Sequence, residues 1–146
     1  MEVLAFVNSG GGQAKSSTCH SIASALALDG KRVLAVDMDG QCSLTNWCGI
    51  SEVEEQSDLL SVLSSGIQET PVPGMDILPS SMHLYQAEKH FADEICADEL
   101  LKIALNNTDY DVICIDTPPQ MGILSYMAMI ASQNLVIPVE SSWKSL

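Results

Sequence analysis

Short, wholly apolar runs alternate along this chain with longer segments whose apolar residues recur every three or four positions. The runs cover residues 3–7, 33–36, 112–115 and 135–137, and Met75-Asp76-Ile77-Leu78 is a weaker fifth. Runs this short that end at turn residues predict strands buried on both faces, as in parallel sheets. Helical spacing fills the intervals. Residues 16–29 are Ala-rich and close on Gly30, a residue suited to the position just past a helix end. Residues 58–65 carry Leu59, Leu60 and Leu63 and stop at Gly66. Leu84, Ala87, Phe91 and Ile95 share one stripe, extended toward Leu100, Leu101 and Ala104; Leu124, Met127, Ala128 and Ala131 form another. Residues 50–57 and 70–74 read as loops. The alternation predicts an α/β fold with a mostly parallel sheet, right-handed crossovers and helices on both faces. Ligands of such sheets bind beyond the carboxyl ends of the strands, so chemistry belongs just after Val7, Val36 and Ile115.

Those three places carry the polar residues that matter. After the first run comes Asn8-Ser9-Gly10-Gly11-Gly12-Gln13-Ala14-Lys15-Ser16-Ser17, and then a helix begins. Glycines let a backbone turn its N–H groups inward, a helix start adds partial positive charge, and a lysine reaches outer phosphates. By that logic residues 10–17 cradle phosphate, Lys15 neutralises it, and the Ser16 hydroxyl binds Mg²⁺. The strict phosphate-loop motif is not met: Ser9 and Ala14 stand where it has glycines, and a left-handed Ala14 would cost about 1–2 kcal/mol. A plain turn is the alternative reading. The second run ends in Asp37-Met38-Asp39, with both carboxylates on one face. They are candidates to hold a Mg²⁺-bound water or to orient an attacking water. The run at 112–115 ends in Asp116-Thr117-Pro118-Pro119, an acid where a Mg²⁺ carboxylate is required and a stiff loop behind it. Helix caps or turn aspartates are the alternatives for these acids. Three such features at three strand ends argue for one site.

Composition sets the limits. The 146 residues suit one domain, and 6 Lys and Arg against 19 Asp and Glu leave a formal charge of −13. Basic residues cluster nowhere beyond Lys31-Arg32, a poor grip for a nucleic-acid backbone. No apolar run approaches the ~20 residues of a membrane helix, and the N-terminus lacks a basic leader region. Cys19, Cys42, Cys48, Cys96 and Cys114 are odd in number and irregularly spaced, which reads as reduced thiols of a cytoplasmic protein. His20, His83 and His90 form no triad order or metal spacing and read as structural; Trp47 and Trp143 have no assigned role.

The chain resembles the ParA/MinD group of P-loop ATPases with a deviant Walker A motif. The phosphate loop is similar to the group's KGGxGK[ST]. Residues 30–41, GKRVLAVDMDGQ, are similar to GKRVLLVDxDPQ; residues 73–80, PGMDILPS, to PGLDLLPS; residues 110–119, YDVICIDTPP, to YDxIxIDTPP; and residues 135–139 to VLIPV. The resemblance implies a P-loop NTPase-like fold in which residues 1–146 form a single, partial nucleotide-binding domain, truncated on its C-terminal side after Leu146. It implies ATP or ADP with Mg²⁺ as cofactors. Lys15 would bind the β- and γ-phosphates, Ser16 the metal, Asp39 the attacking water, and Asp116 a metal-bound water, with Asp37 supporting the metal site less directly. The implied function is a slowly hydrolysing ATPase that partitions or positions a plasmid, chromosome or protein organelle through ATP-dependent homodimers and a cargo or adaptor protein. Non-specific DNA would be bound only through a further C-terminal part, making the intact protein nucleoid-associated. Three departures stand out. Gly10 occupies the position of the signature lysine, as in relatives that position carboxysomes; Ala14 replaces a glycine, and Gly40 a proline. A nucleotide-binding switch with little hydrolysis and a non-nucleotide interaction domain are the alternatives.

Overall fold

The computed structural model of the protein describes residues 1–10, 12–51, 66–84 and 96–139. The described strands are β1 (Glu2–Phe6), β2 (Val33–Asp37), β3 (Gln68–Glu69), β4 (Met75–Leu78), β5 (Val112–Asp116) and β6 (Asn134–Val136). The described helices are α1 (Lys15–Leu28), α2 (Ser43–Trp47), α3 (Ala97–Leu105) and α4 (Ile123–Ala131). One sheet holds all six strands in the order β3-β4-β2-β5-β1-β6. Every pairing is parallel except β3 with β4.

The apolar runs explain this order. β2 and β5 are buried at every position and occupy the middle of the sheet, where both faces are covered. Side chains alternate between the faces. On one face Val3, Ala5, Leu34, Val36, Ile113 and Ile115 meet Leu101 and Leu105 of α3 and Leu124 and Met127 of α4. On the other, Phe6, Ala35, Ile77 and Cys114 meet Cys19, Ala23 and Ala27 of α1 and Leu44 of α2. The three α1 residues recur at i, i+4 and are small, so this helix lies close against the strands. Helices therefore cover both faces, and Met127 fills core.

Three expectations need correction, and one element is new. The sheet has a strand more than the apolar runs predict: Gln68–Glu69 pairs antiparallel with β4 through the 70–74 loop. That strand is polar and two residues long, so no apolar run marks it. Gly74 permits the turn, since its φ is +81° and a Cβ there would lie 3.2 Å from the Lys31 carbonyl oxygen. The run at 135–137 is not buried on both faces; Leu135 is 49 % and Ile137 61 % exposed, because β6 is an edge strand paired, among the described residues, with β1 alone. The stripe expected to reach Leu100 and Ala104 does not pass unbroken, because Cys96 is left-handed (φ 63°) and α3 starts afresh after it. Finally, α2 is a five-residue helix that periodicity cannot reveal. The helix expected over 58–65, residues 52–57 of the expected 50–57 loop, Ala87, Phe91 and Ile95, Gly11, His90 and Trp143 lie outside the described residues.

Candidate functional site

Register brings the three polar strand ends together. Phe6 and Asp37 are the flanking partners of Asp116 on either side of β5, so the loop after β1, the Asp37–Asp39 segment and Asp116 share one end of the sheet. The loop after β1 is fixed by Asn8. Its side-chain nitrogen donates to the Pro138 carbonyl (2.6 Å) and its oxygen accepts the Gly10 amide (2.7 Å). Gly12 has φ +75°. Ala14 sits immediately before α1 at φ 57°, ψ 24°, the left-handed geometry whose cost its sequence position raises. A helix start leaves its first amides without intrahelical acceptors and carries partial positive charge; here those residues, Lys15, Ser16 and Ser17, line a cleft.

Lys15 is 7 % exposed, and its ammonium donates to the Gly10 carbonyl at 3.0 Å. Among the described residues no carboxylate forms an ion pair with it. A buried ammonium that no carboxylate contacts directly is poised for an anion.

The acids are used differently from one another. Asp37 is committed to protein donors: one oxygen accepts the Asp39 amide (3.0 Å), the other the Thr45 amide (2.9 Å) and hydroxyl (2.7 Å). Burial pushes its carboxyl up to about 6, against the pull of those three bonds. Asp39 is 8 % exposed, accepts the Gln41 amide at 3.0 Å and lines the cleft. Asp116 is fully buried, and neither of its oxygens meets a donor at hydrogen-bonding geometry. Burial pushes it up to about 7; the nearby Ser16 hydroxyl pulls down, the charges of Asp37 and Asp39 push up, and Lys15 pulls down.

The cleft has a volume of ≈ 560 Å³. Of the residues singled out in the sequence, Gly12, Gln13, Ala14, Lys15, Ser16, Ser17 and Asp39 line it, joined by Gln41, Ser43, Trp47 and Pro119. Gly10, Asp37 and Asp116 do not line it. Ser43, Thr45 and Trp47 are the residues that sequence reasoning missed. All belong to α2, too short for a periodic signal, and Thr45 becomes visible only through its bond to Asp37. Trp47 is 53 % exposed and meets His20 of α1 edge-on, with ring centres 6.2 Å apart. Among the described residues no group of three or more His, Cys, Asp or Glu has the geometry to hold a metal by itself. All five cysteines are free; burial raises the Cys19, Cys48 and Cys114 thiols, Cys48 to about 11 and Cys114 to about 12, so they stay protonated core residues.

A mostly parallel sheet with a glycine-rich loop between β1 and α1, a lysine at the helix start and acids at the ends of β5 and β2, the next two strands in the sheet, defines a P-loop type of nucleotide-binding fold. The AAA domain family (AAA_31) matches residues 1–146, and the chain belongs to that family, within its ParA/MinD group of P-loop ATPases. The probable plasmid-partitioning protein ParA of Thermus thermophilus is 35 % identical over 149 residues, covering 99 % of this chain and 46 % of that protein. A crystal structure of cobyrinic acid a,c-diamide synthase from Mycobacterium smegmatis, with bound ATP analogue and magnesium, superposes with a TM-score of 0.88 at 34 % identity, covering 95 % of this chain and 60 % of the other. McdA of Cyanothece, as an ATP complex of a variant, superposes with a TM-score of 0.89 at 25 % identity, covering 99 % and 58 %. The chain thus spans roughly half the length of the relatives it matches. No helix among the described residues is long and apolar enough to cross a membrane.

Proposed function

We propose that residues 1–146 form the Mg·ATP-binding part of a slowly hydrolysing, ParA-type ATPase that partitions or positions a cargo through nucleotide-dependent dimerisation. The observation that carries this reading is a pair of buried charged groups at one end of the sheet that no direct contact neutralises: the Lys15 ammonium makes no ion pair with a carboxylate among the described residues, and the Asp116 oxygens accept no hydrogen bond at good geometry. Each costs free energy in the ligand-free chain, and a polyphosphate with its cation relieves both.

The residues fit magnesium as such sites are usually built, from a carboxylate or two, a hydroxyl and substrate phosphates. Ser16 would hold it directly and Asp116, buried behind the cleft lining, through a metal-bound water, with Asp39 lining the cleft. Magnesium bound there would supply positive charge to neutralise the phosphates. The chain does the rest. Residues 10–17 orient the phosphates through backbone amides, Lys15 places its charge on the outer oxygens, and Asp39 accepts a hydrogen bond from the attacking water. Asp37 acts on this site through the loop it holds rather than as a ligand.

A second reading, a nucleotide switch with little turnover, has one observation in its favour. Gly10 brings no side chain to the signature-lysine position, and a Cβ there would lie 2.8 Å from Cγ of Gln13. A calorimetric titration with ATP, ADP and Mg²⁺ tests the binding, and phosphate release with and without Asp39→Ala separates the readings. Turnover abolished by the change supports hydrolysis; binding with no turnover supports the switch; no binding defeats both. With a charge of −13, any DNA contact of the whole protein belongs outside residues 1–146. The cargo or adaptor partner and the location in the cytoplasm or on a nucleoid follow from the same reading.

A further inference from the structure

The loop that carries Asp39 leaves β2 at Asp37 and enters α2 at Ser43, and both of its ends are tied to one hydroxyl. Thr45 Oγ1 donates to Asp37 (2.7 Å) and accepts the Ser80 amide (2.9 Å). Asp37, Thr45 and Ser80 are each no more than 3 % exposed. This hydroxyl therefore joins three elements, β2, α2 and the residues just past β4, where no water replaces a lost bond. It is used in both directions, as donor to a carboxylate and acceptor from an amide, which serine can reproduce and valine cannot. The loop needs such a clamp. Cys42, directly before α2, is left-handed at φ 56°, a conformation that persists only where its surroundings over-determine it. The start of the loop is pinned independently, by the Met38 amide donating to the Asp116 carbonyl at 2.9 Å. With its start held by β5 and its end by Thr45, the loop has one path, and Asp39 stands on it.

We propose that Thr45 is a positioning residue for the reaction at this cleft: its hydroxyl holds the Asp39 loop and α2 in register with the phosphate loop, and so sets turnover while leaving nucleotide affinity nearly unchanged. This rests on the ATP reading above for the identity of the reaction. Thr45 does not line the cleft, so it acts through Asp37 and the loop.

The test compares wild type, Thr45→Val and Thr45→Ser in Mg·ATP turnover, in ATP affinity and, without ligand, in amide hydrogen exchange at Ser80. The valine variant is expected to lose roughly 10- to 100-fold in kcat, the scale of a misplaced catalytic group, with affinity within about threefold of wild type. Its Ser80 amide should exchange at least about tenfold faster, the fold-change for a lost buried bond of ~1.4 kcal/mol. Serine should restore kcat and Ser80 protection and leave affinity unchanged. Equal turnover in wild type and Thr45→Val, a parallel loss of affinity and kcat, or failure of serine to rescue would overturn the proposal. If Thr45→Val does not fold, Thr45→Ala is read in the same way; loss of folding in both would make the hydroxyl a core requirement and overturn the positioning role. If wild type shows no ATP binding or turnover, the ATP reading fails by itself, and Ser80 exchange alone decides: unchanged protection in Thr45→Val overturns the clamp, and faster exchange rescued by serine supports it.

Discussion

Replacing Asp116 with asparagine should make the ligand-free protein more stable at neutral and alkaline pH. Burial lifts this carboxyl from the ordinary 3.8 to about 7. At about 1.4 kcal/mol per pH unit, the ionised side chain costs folding at most roughly 4 kcal/mol above pH 7. The sign follows from proton counting. Between pH 4 and 7 the native state holds the proton and the unfolded state has released it, so stability falls as pH rises and levels off above pH 7. The Asp116→Asn change removes the ionisation and keeps the shape. Urea denaturation in EDTA, at intervals from pH 5 to 8, should show the variant's advantage over wild type growing by roughly 3 kcal/mol. Asp37, pushed up to about 6, titrates in both proteins and largely cancels in the difference. Mg·ATP should then stabilise wild type more than Asp116→Asn, because only the carboxylate gains a cation. A difference that stays flat with pH, or one that favours wild type increasingly as pH rises, would refute the claim that this acid is a cation site held ready at the expense of stability.

Ala14→Gly should relieve the left-handed strain before α1, offset in part by the flexibility glycine adds to the unfolded chain, for a net gain of up to about 1 kcal/mol or ~2–4 °C in melting temperature. A lowered melting temperature would contradict it. Gly74→Ala should cost roughly 1–3 kcal/mol in denaturant titrations, since φ is +81° and the Lys31 carbonyl leaves little room; a neutral result would mean that the turn can relax. Lys15→Ala should weaken ATP binding at least tenfold by calorimetry, the scale of a charge-assisted bond of about 1.5–3 kcal/mol, while leaving unfolding stability unchanged or higher. Equal affinity would remove the lysine from the phosphate site.

Much of the fold was legible because the central strands are buried on both faces. Continuous apolar runs at β1, β2 and β5, each closed by polar residues, announced a parallel sheet and pointed to the end where the candidate site lies. The α1 and α4 stripes were readable for the same reason: a helix with one buried face must repeat its small or apolar residues at helical spacing. Where burial does not dictate residue type, the reading failed. β3 is two polar residues held by backbone bonds, β6 is apolar yet lies at an edge, and α2 is shorter than two turns.

What the sequence determined by itself was the layered α/β class, the order of loop, lysine and acids, and the strained place of Ala14, because each depends on neighbours within a few residues. Only the tertiary structure decided how the three aspartates divide their work. Asp37 satisfies its oxygens on Thr45 and Asp39, Asp39 reaches the cleft, and Asp116 is left without a donor. An aspartate in a sequence carries the same charge wherever it stands. Which donors surround it, and how much water it keeps, is settled when β2, β5 and α2 pack, and it is this packing that separates a braced carboxylate from one left without a donor.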